Sequence, residues 1–238
     1  MTIHRVIKSL SVFACCFLII VVSVTISTIR VAAEEPKIDL FKLEQELEKK
    51  SYSSSGITEV WWMPEEYWGV GFSVDPMMQM LYGKQTLAML RPYHIFSVSQ
   101  STQTSSALTY YTRTALQNNI QLIDKDGNSY SPYTVDEINA VLESQLTQMK
   151  QSFAKAVGVN NDVLHFFLFP SHDAQGKRIA DPTKKGSFSL LVGYKKFEWQ
   201  LPLPELIPKK KCPVDGKLLN GTWKYCPFHG AEFQSLTN

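Results

Sequence analysis

Two copies of one short turn near the C-terminus constrain this chain more than any other feature: Cys212-Pro-Val-Asp215-Gly216 and Cys226-Pro-Phe-His229-Gly230. Each sets a thiol three residues before a second side chain able to donate to a metal. Proline follows the thiol, and glycine closes the turn. A Cys-x2-donor turn folds its amides back toward the sulfur, so two donors can meet one ion; the glycine supplies backbone angles that an L side chain resists. Ten residues separate the pairs, enough for a short hairpin, with Leu218, Leu219, Trp223 and Tyr225 available to cover it.

This stretch resembles the small zinc ribbons carried as appendages by many bacterial proteins, whose knuckles read Cys-Pro-x-Cys-Gly. The resemblance covers residues 212–230 and implies one zinc ion with Cys212, Asp215, Cys226 and His229 as its ligands. Asp215 and His229 stand where the family has cysteines. Histidine is a good zinc ligand and the Asp oxygen a harder one, so the fourth place falls to Asp215 held weakly or to water. Two alternatives stay open. Outside the cytoplasm, Cys212 and Cys226 would commonly pair as a disulfide, worth about 3 kcal/mol for a loop of this size. The other alternative is a ribbon that keeps its fold without metal. A disulfide explains neither Asp215 and His229 nor the repeated proline and glycine. Structural zinc is therefore the expectation, because a module this small has too little core to fold without a staple.

The opposite end of the chain speaks to location. Arg5 and Lys8 precede an apolar run from Val12 to Ile26, and Val31-Ala32-Ala33 follows before Glu34-Glu35. That order is a basic region, an apolar region and small residues at the −3 and −1 positions of a cut after Ala33. The apolar helix partitions into the bilayer while the basic end stays cytoplasmic. The run is long for a signal peptide and close to the roughly 20 residues of a spanning helix. Residues 1–33 are thus read as a cleaved signal, with a retained anchor over residues 12–29 as the alternative. Both deliver the rest outside the cytoplasm, to the periplasm or beyond. Cys15 opens the apolar run, whereas a lipobox cysteine closes one, so a lipid-modified Cys15 is rejected.

Between these ends the patterning predicts a mainly β body of sandwich or barrel type with one inserted helix. Residues 34–56 read as an amphipathic helix, Asp39 to Lys50 with Leu40, Leu43 and Leu47 on one face, followed by a polar break over Ser51–Gly56. The body spans 57–203. Strands are expected at 57–63, 93–100, 107–114, 120–123, 129–133, 163–169, 187–192 and 196–201, separated by Gly, Pro and Asp clusters. Met77–Leu90 reads either as a helix broken near Gly83 or as a strand pair turning there. Asp126-Gly127 marks a hairpin. Thr134 and Glu137 form a capping box opening a helix over 135–157, its apolar face Ile138, Val141, Leu142, Leu146, Met149 and Phe153, with Gly158 at the end. Residues 204–211 are a Pro-punctuated, extended linker including Lys209-Lys210-Lys211. The zinc-ribbon-like module occupies 212–233.

Little in the body spells a reaction. A net charge of +2 without a basic stripe argues against a nucleic-acid partner. Ser171-His172-Asp173 contains triad residue types, but adjacent side chains are not expected to converge, and a polar turn is the better reading. Asp124-Lys-Asp126-Gly127-Asn128 lacks the spacing of a calcium loop. His94 and His165 fall in apolar strand patterns, as core histidines do. Trp61, Trp62, Tyr67 and Trp68 suit sheet-face packing, with a carbohydrate-type groove as the alternative. The sequence lacks a phosphate-binding glycine loop, a His-Glu-x-x-His motif and a Gly-x-Ser-x-Gly elbow. The expectation is an exported, non-catalytic binding or assembly protein whose partner lies in the envelope or outside the cell. Its rivals are an envelope zinc sensor or carrier, and a secreted hydrolase using Glu65, Glu66, His94 or His165.

Overall fold

The computed structural model describes residues 38–233 apart from 75 and 159. The expected signal or anchor, with residues 34–37, lies outside the described residues. Chain order runs α1 (Leu40–Leu47), β1 (Glu48–Ser53), β2 (Gly56–Met63), α2 (Glu65–Val74), α3 (Pro76–Leu90), β3 (Tyr93–Gln103), β4 (Leu108–Tyr110), α4 (Arg113–Gln117), β5 (Ile120–Ile123), β6 (Ser129–Tyr130), α5 (Ala140–Val157), β7 (His165–Pro170), β8 (Gly186–Val192), β9 (Lys195–Leu201), β10 (Lys210–Lys211) and β11 (Leu218–Leu219). No helix among the described residues is long and apolar enough to cross a membrane.

Asp39 caps α1 by accepting the Lys42 N–H, and Leu43 and Leu47 bury the stripe that their spacing predicts. The helix stops at Leu47, and the supposed polar break is strand β1, paired antiparallel with β2. A polar edge strand carries no apolar alternation to reveal it, and exposed sheet edges favour such charged residues. Lys50 on β1 pairs across the ladder with Glu59 at 3.1 Å. Gly56 ends the tight link at φ +146°; a Cβ there would lie 1.9 Å from the Ser101 carbonyl oxygen, which only glycine avoids.

β3 is the spine. One edge takes β2, and the other takes β7 and then the short β4, completing a five-stranded antiparallel sheet. Residues His94 to Val98 are all buried, because both faces of this sheet are covered. The order β6-β5-β8-β9 makes a four-stranded antiparallel sheet. The two sheets meet through aromatic rings: Trp62 lies edge-on to Phe188 at 4.5 Å and Phe96 contacts Trp199 at 5.8 Å, while Phe188 and Trp199, neighbours on β8 and β9, stack on each other at 5.0 Å. α5 covers the other face of the larger sheet, where Phe153 meets Trp61 and Phe166.

Several boundaries depart from expectation for local reasons. The strand predicted to Thr114 ends at Tyr110, since Thr112 accepts the Ala115 N–H and starts α4. The Thr134–Glu137 capping box forms, but around a 3₁₀ turn at Val135–Glu137; Ile138 is extended, and a second cap at Asn139 begins α5. Val141 is consequently exposed while Leu142, Leu146 and Met149 are buried. α3 is helical, broken by the non-helical Gly83. Residues 204–211 are not a free linker. Glu205 accepts the Asp39 N–H at 2.8 Å and donates its own N–H to Glu46, while Leu203 is buried. The segment is strapped to α1, a pairing of groups about 160 residues apart that local composition cannot disclose.

Candidate metal centre

The two C-terminal turns adopt the same backbone. The carbonyl of Cys212 accepts the Gly216 N–H and that of Cys226 accepts the Gly230 N–H, both at 2.8 Å. Cys212 N–H donates to the Lys217 carbonyl and Cys226 N–H to that of Ala231, at 2.9 and 2.8 Å. Gly216 and Gly230 have φ of +73° and +66°, the left-handed angles that let each chain turn away from its sulfur. Amides of Val214 and Asp215 point at the Cys212 sulfur, and those of Phe228 and His229 at the Cys226 sulfur.

These turns face one another. Nδ1 of His229 lies 3.3 Å from Cys212 Sγ and 3.5 Å from Cys226 Sγ. One donor atom from each of Cys212, Cys226 and His229 falls within 4.8 Å of the others, a group able to hold a metal ion. Both cysteines are buried free thiols and His229 is exposed. Burial pushes the Cys212 thiol up; it also opposes ionisation of Cys226, but the Phe228 and His229 amides together with the Cys212 and His229 side chains outweigh it and lower that thiol. Asp215 is not gathered into the three-donor group. Its Oδ1 accepts the Lys217 N–H at 3.0 Å, and the carboxylate stands beside the Cys212 thiol, close enough to feel His229.

The floor of the module differs in part from expectation. Leu219 is buried beneath the cysteines, but Leu218, Trp223 and Tyr225 are exposed, and Phe233 supplies the missing cover. Phe233 follows the second turn, outside the spacing pattern, so nothing in the motif pointed to it.

The other candidates are distributed through the body and do not converge. His94 is in the core: Nδ1 accepts the Trp62 indole N–H at 3.3 Å, and Nε2 finds no partner. His165 is also buried, with Nε2 at 3.0 Å from the Tyr111 carbonyl. Glu65 pairs with Arg91, and Glu66 takes Arg178 in a two-pronged bond of 2.6 and 2.8 Å. Ser171 and His172 do meet, Oγ to Nδ1 at 2.8 Å, contrary to the expectation that neighbours would not. Ser171 is buried, however, and Asp173 turns away to accept the Gln175 and Lys177 amides. Asp124 accepts four hydrogen bonds from its own hairpin, consistent with a turn. Trp62, Tyr67 and Trp68 are core residues, whereas Trp61 is on the opposite face and half-buried.

Burial, with Arg178 and His172 nearby, lowers the pKa of His94 from 6.5 to about 3. The unfolded chain therefore binds a proton that the folded chain refuses between pH 6.5 and about 3, so stability falls as pH falls through that window. His94→Asn keeps an acceptor for Trp62 but cannot titrate. The expected result is a flatter dependence of the urea midpoint on pH from 6.5 to 4.5 than in the parent, whatever the variant's stability at neutral pH. An unchanged slope would remove His94 as its source.

No family model matches the chain, and no curated protein or solved structure matches it either.

Proposed function

We propose that the chain acts outside the cytoplasm as a non-catalytic binding or assembly protein of the cell envelope, its C-terminal ribbon closed by one structural zinc ion. Cys212, Cys226 and His229 hold the ion, and Asp215 or water fills the fourth place. The observation that carries the metal reading is the meeting of three donors from two turns of identical backbone. Tetrahedral zinc with Zn–S near 2.3 Å and Zn–N near 2.0 Å sets its donors about 3.6 Å apart. The sulfur-to-nitrogen separations here are 3.3 and 3.5 Å. Amides aimed at both sulfurs also favour thiolates, the form a metal requires.

Export rests on the N-terminal run of basic, apolar and small residues. The non-catalytic reading rests on the occupied state of the groups a hydrolase would draw on. Glu65 and Glu66 are ion-paired, His165 holds a backbone carbonyl, and His94 is enclosed with Trp62. An exposed His229 favours a second reading, a reversible zinc carrier, because a competing ligand can reach that donor from solvent.

Metal and thiol analysis of the exported protein tests this. The expected result is one zinc per chain, both thiols free once denatured, and zinc lost in Cys212→Ser and in His229→Ala. A metal-free disulfide would overturn the zinc assignment. Micromolar, readily reversed affinity would shift the reading to a carrier. Turnover of a hydrolase panel, abolished by substituting His94 or His165, would overturn the non-catalytic one.

A further inference from the structure

The geometry points to a saccharide-binding pocket on the outer face of the five-stranded sheet, beneath one end of α5, sized for a single pyranose ring. The pocket has a volume of about 140 Å³, and its walls include Glu48, Glu59, Trp61, Ser97, Ser99 and Phe153. At about 30 Å³ per water, that is room for four or five waters, the bulk of one sugar ring and not of a chain of them.

Register explains why these side chains gather. Glu48 pairs with Trp61 and Trp61 with Ser97 along one row across β1, β2 and β3; Lys50, Glu59 and Ser99 form the next row on the same face. Because side chains alternate across a strand, this face is opposite the one that puts Trp62 and Phe96 into the core. Trp61 and Phe153 form an aromatic corner, with ring centres 5.2 Å apart and planes at 79°. The indole plane is fixed by its N–H, which donates to Glu48 at 2.7 Å.

A second observation points to a ligand. Ser97 is 1% exposed, lines the pocket, and its hydroxyl has no partner within the protein. A buried hydroxyl without a hydrogen bond is costly, and a guest hydroxyl in the pocket satisfies it. The carboxylates face the same space with their charge already engaged, since Lys50 bridges Glu48 at 2.9 Å and Glu59 at 3.1 Å. Their remaining lone pairs accept from neutral hydroxyls without demanding a cation. An amphipathic ring, apolar C–H face against Trp61 and hydroxyls toward Ser97, Ser99 and the carboxylates, matches every wall.

Titration calorimetry or ligand-observed NMR on the zinc-loaded chain, with D-glucose, D-mannose and N-acetyl-D-glucosamine as probes and tetramethylammonium as a cation probe, tests the assignment. At least one sugar is expected to bind and tetramethylammonium is not. Trp61→Ala is expected to weaken binding about tenfold or more, with the bound metal unchanged. Ser97→Ala removes an unpartnered hydroxyl, so it folds at least as stably as the parent while weakening binding about two- to tenfold. The proposal fails if no sugar binds up to about 50 mM, if Ser97→Ala leaves affinity unaltered, or if the cation alone binds. Because metal content is read in the same samples, failure here is distinguishable from failure of the zinc assignment.

Discussion

Chelating zinc from the intact protein is expected to unfold residues 208–233 and to leave the β body folded. The module's buried apolar cluster is Cys212, Leu219, Cys226 and Phe233, and two of its four members are thiols of the group able to hold a metal ion. Its strands are two residues each. Chains below about 40 residues rarely fold on hydrophobic burial alone, whereas structural zinc contributes about 10–16 kcal/mol of binding that becomes folding energy. The body has a separate and far larger core, so it has no need of the ion. Limited trypsin digestion reads this directly. Lys211, Lys217 and Lys224 should become rapidly cleaved after chelation or in Cys226→Ser, while a fragment carrying the body persists with its melting temperature essentially unchanged. A ribbon that resists trypsin equally with and without metal would show that packing alone holds it.

The second large effect is expected in the body. Trp199→Ala should cost about 3–5 kcal/mol, the range for emptying a buried aromatic site. Trp199 is 1% exposed, stacks on Phe188, and touches Trp62 and Phe96 of the facing sheet. Its indole N–H also donates to the Leu47 carbonyl at 3.1 Å, tying β9 to the end of α1. Truncation therefore opens a cavity between the sheets and leaves a buried carbonyl without a donor. At roughly 2–4 °C per kcal/mol for a chain of this size, the melting temperature should fall by about 6–20 °C. Trp199→Phe keeps most of the packing and loses the hydrogen bond, so about 1–3 kcal/mol is expected from that variant. Should Trp199→Ala melt within a degree or two of the parent, the sheets would not depend on this contact.

The Cys212, Cys226 and His229 cluster was largely legible in one dimension because its turns are local. A Cys-Pro-x-donor-Gly segment decides its own backbone, since each hydrogen bond closing the turn spans four or five residues. Hence three of the four expected donors come together. Asp215 stands beside the Cys212 thiol but outside that group, its Oδ1 taking the Lys217 amide. In the body, apolar runs such as Phe166–Phe169 and Ser187–Val192 announced themselves as strands, and Gly158 ended its helix at φ +73°. β1 did not, because Glu48-Lys-Lys-Ser-Tyr-Ser becomes a strand only when Gly56 turns it back onto β2.

The duplicated turn, the Asp126-Gly127 hairpin and the alternation of the inner strands were thus written in residue order, because turns and periodicities act over a few residues. Tertiary structure alone decided that Glu205 would strap the 204–211 segment to α1, that Phe233 would floor the C-terminal module, and which of the opposite faces carrying Trp61 and Trp62 would be the core. Those outcomes depend on partners from distant parts of the chain. Their free energy comes from burial and pairing that exist only once the strands have found their register.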